Sequence, residues 1–177
     1  IEHDLIREAM LIVGVQKGVE ITTLADIPSE GSGLGSSSSL TVGLLNALYA
    51  YKGKMVSKYR LAKEGIHIEH NLIKETVGSQ DQTNAAYGGL NIIQFQETGD
   101  IIVNPITIPQ ERIKALTQNL MLFYTGIMRT AETISVTYAK NTDKKAAQLE
   151  RIHEIVDQAR EVINGDHSLD YFGELQH

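Results

Sequence analysis

The chain has 177 residues, a formal charge of −6 and a pI near 5.5, and 42% of its residues are hydrophobic. That length suffices for one domain with a substantial core or for part of a larger protein, and the acidic balance without any Lys/Arg run argues against a nucleic-acid surface. The lack of cysteine removes disulfide frameworks and thiolate zinc sites, and no stretch reads as a signal peptide or a bilayer-long apolar span, so a cytoplasmic protein without a membrane partner is expected.

Ile1 to Met10 carries apolar residues at helical spacing without a capping signal, as though a helix were entered partway. Tyr171 to His177 likewise stops without a turn or polar tail, and a central fragment of a longer protein is the expectation. Val19 to Ile27 is rich in β-branched residues and partly alternating, which predicts a strand ending before Pro28. Next comes Pro28-Ser29-Glu30-Gly31-Ser32-Gly33-Leu34-Gly35-Ser36-Ser37-Ser38-Ser39. Glycines there allow positive φ and close approach of backbone to ligand, so successive N–H groups can converge on an anion at a helix N-terminus. The bland alternative is a flexible connector whose serines cap the next helix.

Leu40, Leu44, Leu45 and Leu48 fall at helical spacing and predict a helix to Tyr51, stopped by Lys52-Gly53-Lys54. Ser57 is suited to cap a second helix carrying Leu61, Ile66, Ile68, Leu72 and Ile73, which fades toward Val77-Gly78. After the polar Ser79-Gln80-Asp81-Gln82, a short helix from Gln82 to Tyr87 closes at Gly88-Gly89. Leu90 to Phe95, a turn at Glu97-Thr98-Gly99-Asp100 and Ile101 to Asn104 predict a hairpin. Leu120 to Tyr124 reads as a buried strand, and helices around Thr130 to Lys140 and Lys144 to Ile163 complete the prediction.

The glycine loop lacks the Lys-Ser/Thr of a Walker loop and has Ser36 where a dinucleotide fingerprint wants a glycine-like residue. Pro-x-x-Gly-x-Gly-Leu-Gly-Ser-Ser instead resembles the second motif of the GHMP kinases, the superfamily of galactokinase, homoserine kinase, mevalonate kinase and phosphomevalonate kinase. Gly78-Ser79-Gln80-Asp81-Gln82-Thr83-Asn84-Ala85-Ala86-Tyr87-Gly88-Gly89-Leu90-Asn91 is similar to the sugar kinases that phosphorylate C1 of D-glycero-D-manno-heptose 7-phosphate. The segment from Leu120 to Ala131 resembles the same kinases, and the likeness runs over most of residues 1 to 165.

The resemblance implies an α+β GHMP kinase fold, with residues 1–110 in an N-terminal ATP-binding domain like domain 2 of ribosomal protein S5. Residues 111–177 would begin a ferredoxin-like C-terminal domain. It implies ATP and Mg²⁺ as cofactors, with ATP phosphates cradled by Gly31, Ser32, Gly33, Leu34, Gly35, Ser36, Ser37 and Ser38. Ser37, or failing it Ser36, and Glu69 would meet Mg²⁺, and Asp81 would be the catalytic base. Phosphoryl transfer needs such carboxylates, because Mg²⁺ prefers oxygen ligands and the acceptor hydroxyl must be oriented and relieved of its proton.

The Glu69–Asp81 separation is one residue longer than in the mevalonate kinase pattern, which keeps Glu75 as a substitute. A solvated helix face is the alternative for Glu69 and a turn or N-cap role the alternative for Asp81. On the substrate side the likeness points to Gln80, Tyr87, Gly88 and Gly89, although Tyr87 can equally plug the core. Arg129 is suited to clamp the anionic end of a phosphorylated sugar, or else to pair locally on the surface. His67 and His70 share a helix face but have no third ligand at zinc spacing. The family's N-terminal motif and C-terminal glycine-rich motif have no match in residues 1–177. Three other readings stay open: a GHMP kinase acting on fucose, galactose or a non-sugar alcohol; a non-catalytic nucleotide- or sugar-binding relative; or a structural or interaction domain.

Overall fold

The computed structural model describes residues 1–26, 33–124 and 145–177. The chain divides into two compact units, whose described residues are 1–26, 33–89 and 93–102 in the first and 90–92, 103–124 and 145–177 in the second.

The first unit is built from helices α1 (Asp4–Val13), α2 (Ser36–Tyr51), α3 (Lys58–His67) and α4 (Gln80–Tyr87). In α1, Leu5, Ala9, Met10 and Val13 recur at helical spacing and are buried, so the helix presents one apolar face. It ends at Gly14, whose φ of 76° lets its N–H bond back to Met10 and Leu11. Leu44, Leu45 and Leu48 of α2 enter the same core, joined by Leu61 of α3 and Ile68. Tyr49 ties α2 to α3 by donating to Glu64, and the Arg60 guanidinium donates to the same phenol oxygen at 2.8 Å. The Ser57 hydroxyl accepts from Arg60 N–H at 3.1 Å, the cap expected for α3.

From Ile68 to Leu72 the chain continues α3 as a π-helical turn, and Ile73 N–H bonds the carbonyl of Ile68 five residues back. Beyond it, Lys74 takes the left-handed conformation (φ 65°) and Glu75 N–H returns to the Glu69 carbonyl at 2.8 Å. α4 begins at Gln80, two residues before the sequence predicts, and its terminal Tyr87 carbonyl accepts from Lys58 Nζ at 2.6 Å. Strands β1 (Asn91–Phe95) and β2 (Ile101–Pro105) pair as the predicted hairpin. Gly99, at φ 84°, closes its turn onto Gln96, and its carbonyl accepts from Lys63 Nζ.

The second unit contains α5 (Gln110–Gln118), α6 (Ala146–Asn164) and α7 (Leu169–Gln176). Arg112 of α5 donates through Nη2 to the carbonyls of Val162 and His167, both at 2.7 Å, and so satisfies orphan carbonyls where α6 ends. Neither α5 nor α7 is predicted from the sequence.

Two predicted strands do not form among the described residues. Val19 and Ile21 alternate into the core as expected, yet residues 19–26 form no ladder with any described segment and lack regular structure. Leu120 to Tyr124 is unpaired too, and Leu122 is 83% exposed. An apolar run becomes a strand only when a neighbour completes its hydrogen bonds, and no described segment supplies one to either stretch. The helix predicted around Thr130 to Lys140 lies outside the described residues.

Candidate active site

All five buried polar residues of the described structure, Ser38, Thr41, Glu69, Gln82 and Thr83, belong to α2, the π-turn and α4. Polar groups are buried only where partners compensate their lost hydration, so this concentration marks the junction as more than packing.

The glycine loop delivers the first of these helices. Gly33 (φ 70°) and Gly35 (φ 69°) are both left-handed, a region that favours residues without a side chain, and α2 starts immediately afterwards at Ser36. Gly31 and Ser32 lie outside the described residues. Within the first turn of α2 the serines diverge. Ser37 is exposed and its carbonyl accepts from the Thr41 hydroxyl at 2.9 Å, whereas Ser38 points inward and its hydroxyl donates to Glu69 Oε2 at 3.0 Å.

Glu69 is fully buried. Its Oε2 also accepts from Gln82 Nε2 at 2.7 Å, while its Oε1 has no hydrogen-bond partner among the described residues. Burial pushes this carboxyl above the usual range, the donors Ser38 and Gln82 offset that in part, Glu75 nearby pushes it up further, and the Thr41 hydroxyl, itself bonded to the Ser37 carbonyl, adds a smaller lowering influence. The solvated-face alternative for Glu69 is thereby excluded. Glu75 is half-buried and engages this site through its backbone N–H.

Asp81 stands in the first turn of α4 and is exposed. Its side chain lies against Gly35: a Cβ on that glycine would stand 3.2 Å from Asp81 Cγ and 3.4 Å from Oδ2. The glycine loop and the predicted base therefore meet. Gln80 is exposed, Tyr87 is half-buried, and Gly88 and Gly89 both take positive φ as they leave α4. Arg129 lies outside the described residues. His67 bonds Asn71 and His70 lies 3.4 Å from the Gly78 carbonyl, and no group of three metal-ligating side chains exists among the described residues.

Gln82 is the residue that sequence reasoning passes over. It reads there only as polar context for Asp81, and its burial against Glu69 depends on how α4 crosses α3. Gly65, one turn before Glu69, lies where α2 and α4 both pass: a Cβ there would crowd Val42 Cγ2 at 3.2 Å and touch Gln82 Cβ at an ordinary 3.6 Å.

The profile of the family described as GHMP kinases N terminal domain matches residues 3–89, the segment that contains α1 to α4. Residues 3–89 are a GHMP kinase N-terminal domain. The chain is 36% identical over 138 residues to D-glycero-alpha-D-manno-heptose 7-phosphate kinase of Campylobacter jejuni, a match covering 77% of this chain and 40% of that protein. It is 32% identical over 127 residues to L-fucokinase/L-fucose-1-P guanylyltransferase of Bacteroides fragilis, covering 66% of this chain and 12% of that one. Among solved structures it resembles a D-glycero-D-manno-heptose 1-phosphate kinase from Bacteroides thetaiotaomicron, with a TM-score of 0.59 and 30% identity over 64% of this chain and 38% of the other. The GHMP kinase N-terminal domain thus sits in a chain that spans well under half of each relative. No described helix is long and apolar enough to cross a membrane.

Proposed function

We propose that the protein is an ATP-dependent sugar kinase that transfers the γ-phosphate to the anomeric hydroxyl of D-glycero-D-manno-heptose 7-phosphate, giving the 1,7-bisphosphate. The observation that carries this reading is the contact of Asp81 with Gly35, which sets a carboxylate beside a glycine loop at the N-terminus of α2. Backbone N–H groups of that loop suit the ATP phosphates, because N–H groups converging at a helix N-terminus and the helix dipole both favour an anion there.

Asp81 holds the sugar O1 hydroxyl and receives its proton as the O1–Pγ bond forms and the bond from Pγ to the β,γ-bridging oxygen breaks, so ADP leaves. The donor set also fits Mg²⁺. Glu69 Oε1 is a buried carboxylate oxygen without a partner, and Ser37 offers a second oxygen from the first turn of α2. When bound, the ion supplies neutralisation of the charge that develops on the phosphates. Catalysis by the chain's own residues is then positioning and preorganised polarity.

Gln80, Tyr87, Gly88, Gly89 and Arg129 are assigned to the sugar phosphate in this reading, with Arg129 on its anionic end. Residues 1–110 form the N-terminal ATP-binding domain and residues 111–177 open a ferredoxin-like C-terminal domain. A cytoplasmic setting, where ATP is supplied, belongs to the same proposal. The likeness to a fucokinase supports a second reading, phosphorylation of a free hexose.

Coupled ADP release by the full-length protein, with the heptose 7-phosphate, fucose and galactose offered in parallel, separates the two. Turnover on the heptose phosphate alone is expected. Preferential turnover on a hexose transfers the assignment to the second reading, and no ADP release with any sugar ends both.

A further inference from the structure

Glu69 Oε2 receives two donors and Glu69 Oε1 none. Both donors are neutral, the Ser38 hydroxyl from α2 and the Gln82 amide from α4, and Glu69 has no cationic partner among the described residues. An arginine or lysine at position 82 would cancel the carboxylate charge and compete with a divalent ion. An amide fixes the plane of the carboxylate and leaves that charge in place.

Gln82 packs directly on α3. Gly65 on α3 has no side chain where Gln82 passes, and a Cβ there would stand 3.6 Å from Gln82 Cβ and Cγ and 3.2 Å from Val42 Cγ2. Gln82 therefore crosses α3 one turn before Glu69 and ends on its carboxylate. It is fully buried and immediately follows Asp81 on α4, so the bond that holds Glu69 also sets the position of α4, and with it the place of Asp81 against Gly35.

We infer that Gln82 is a positioning residue. It pins one oxygen of Glu69 so that the other faces a divalent cation, and it couples that carboxylate to the placement of Asp81. The inference rests on the kinase reading and on Glu69 as the cation's protein ligand.

The test uses the full-length protein and Gln82→Met, which keeps the volume and removes the donor. Mn²⁺ binding to the complex with a non-hydrolysable ATP analogue is read from the paramagnetic signal of the free ion. Nucleotide affinity is measured separately in EDTA, and unfolding by urea. Loss of an outer-shell donor is expected to weaken Mn²⁺ binding by about tenfold or more. The value of kcat should fall by a similar factor, with the sugar KM and the EDTA nucleotide affinity changed by no more than about threefold.

Wild-type Mn²⁺ affinity in a folded Gln82→Met protein overturns the inference, as does a loss of Mn²⁺ affinity no larger than the loss of EDTA nucleotide affinity. Should Gln82→Met not fold, Gln82→Asn, which withdraws the amide by one methylene, is held to the same two criteria. A wild-type protein that turns over no sugar removes the kinase reading and this inference with it. Turnover with equal Mn²⁺ affinity in wild type and variant removes this inference alone.

Discussion

The carboxyl group of Asp81 rests on Gly35, close enough that one added methyl would stand 3.2 Å from Asp81 Cγ. Gly35 also holds φ at 69°, a conformation that L side chains rarely adopt. Gly35→Ala therefore carries two penalties. Backbone strain in the left-handed region costs about 1–2 kcal/mol of stability. The methyl pushes Asp81 by a few tenths of an ångström, and misplacement of a reacting group lowers kcat by about tenfold. Urea unfolding and the ADP-release assay, run on one preparation, read the two effects. Lost stability with unchanged kcat would show that the glycine serves the backbone and not the placement of Asp81.

Asp81 itself is exposed, so Asp81→Asn removes the charge without disturbing the core. Removal of a general base lowers kcat by about 10²–10⁴-fold. Calorimetry should find ATP affinity unchanged, because the phosphates are assigned to loop N–H groups rather than to this carboxylate. A variant that keeps its rate takes Asp81 out of the mechanism.

The parts of this architecture that are legible in the sequence are those with a periodic or local signal. Leu44, Leu45 and Leu48 announce the buried face of α2, Ser57 announces the start of α3, and Gly99 announces the hairpin turn. Residues 19–26 and Leu120 to Tyr124 mislead because a strand is a relation between two segments, and composition reports only one of them. The buried polar junction is harder still. Glu69, Gln82 and Ser38 are of types that normally face water, and only the crossing of α2, α3 and α4 turns them inward. The π-turn at Ile68–Leu72 has no sequence signature of its own.

Ser37 and Ser38 are adjacent and should respond oppositely to truncation. Ser38→Ala strips a donor from a buried carboxylate, which costs about 1–3 kcal/mol. Ser37 is exposed, so Ser37→Ala should change stability by no more than about 0.5 kcal/mol. If the Ser37 hydroxyl meets the cation as proposed, Ser37→Ala nonetheless lowers kcat and weakens Mn²⁺ binding. Equal stability of the two variants would count against the inward orientation of Ser38, and wild-type kinetics in Ser37→Ala would remove that hydroxyl from the site.

Glu69 makes the stability of the cation-free protein depend on pH in a direction opposite to that of an ion-paired carboxylate. Burial raises its folded pKa above the unfolded reference of 4.5, so the folded state holds the proton more tightly than the unfolded state. Below the unfolded value both states are protonated and this contribution is fully present. As the pH climbs, the unfolded chain releases its proton first, and stability falls until the folded carboxyl has titrated as well. Glu69→Gln has no proton to release, so its stability relative to wild type should grow across that window and then level off. Urea unfolding of both proteins in EDTA, without nucleotide, from about pH 4 to about pH 8 follows the difference directly. A difference that stays flat, or that shrinks with rising pH, would mean that the Glu69 carboxylate is compensated by a partner it lacks among the described residues.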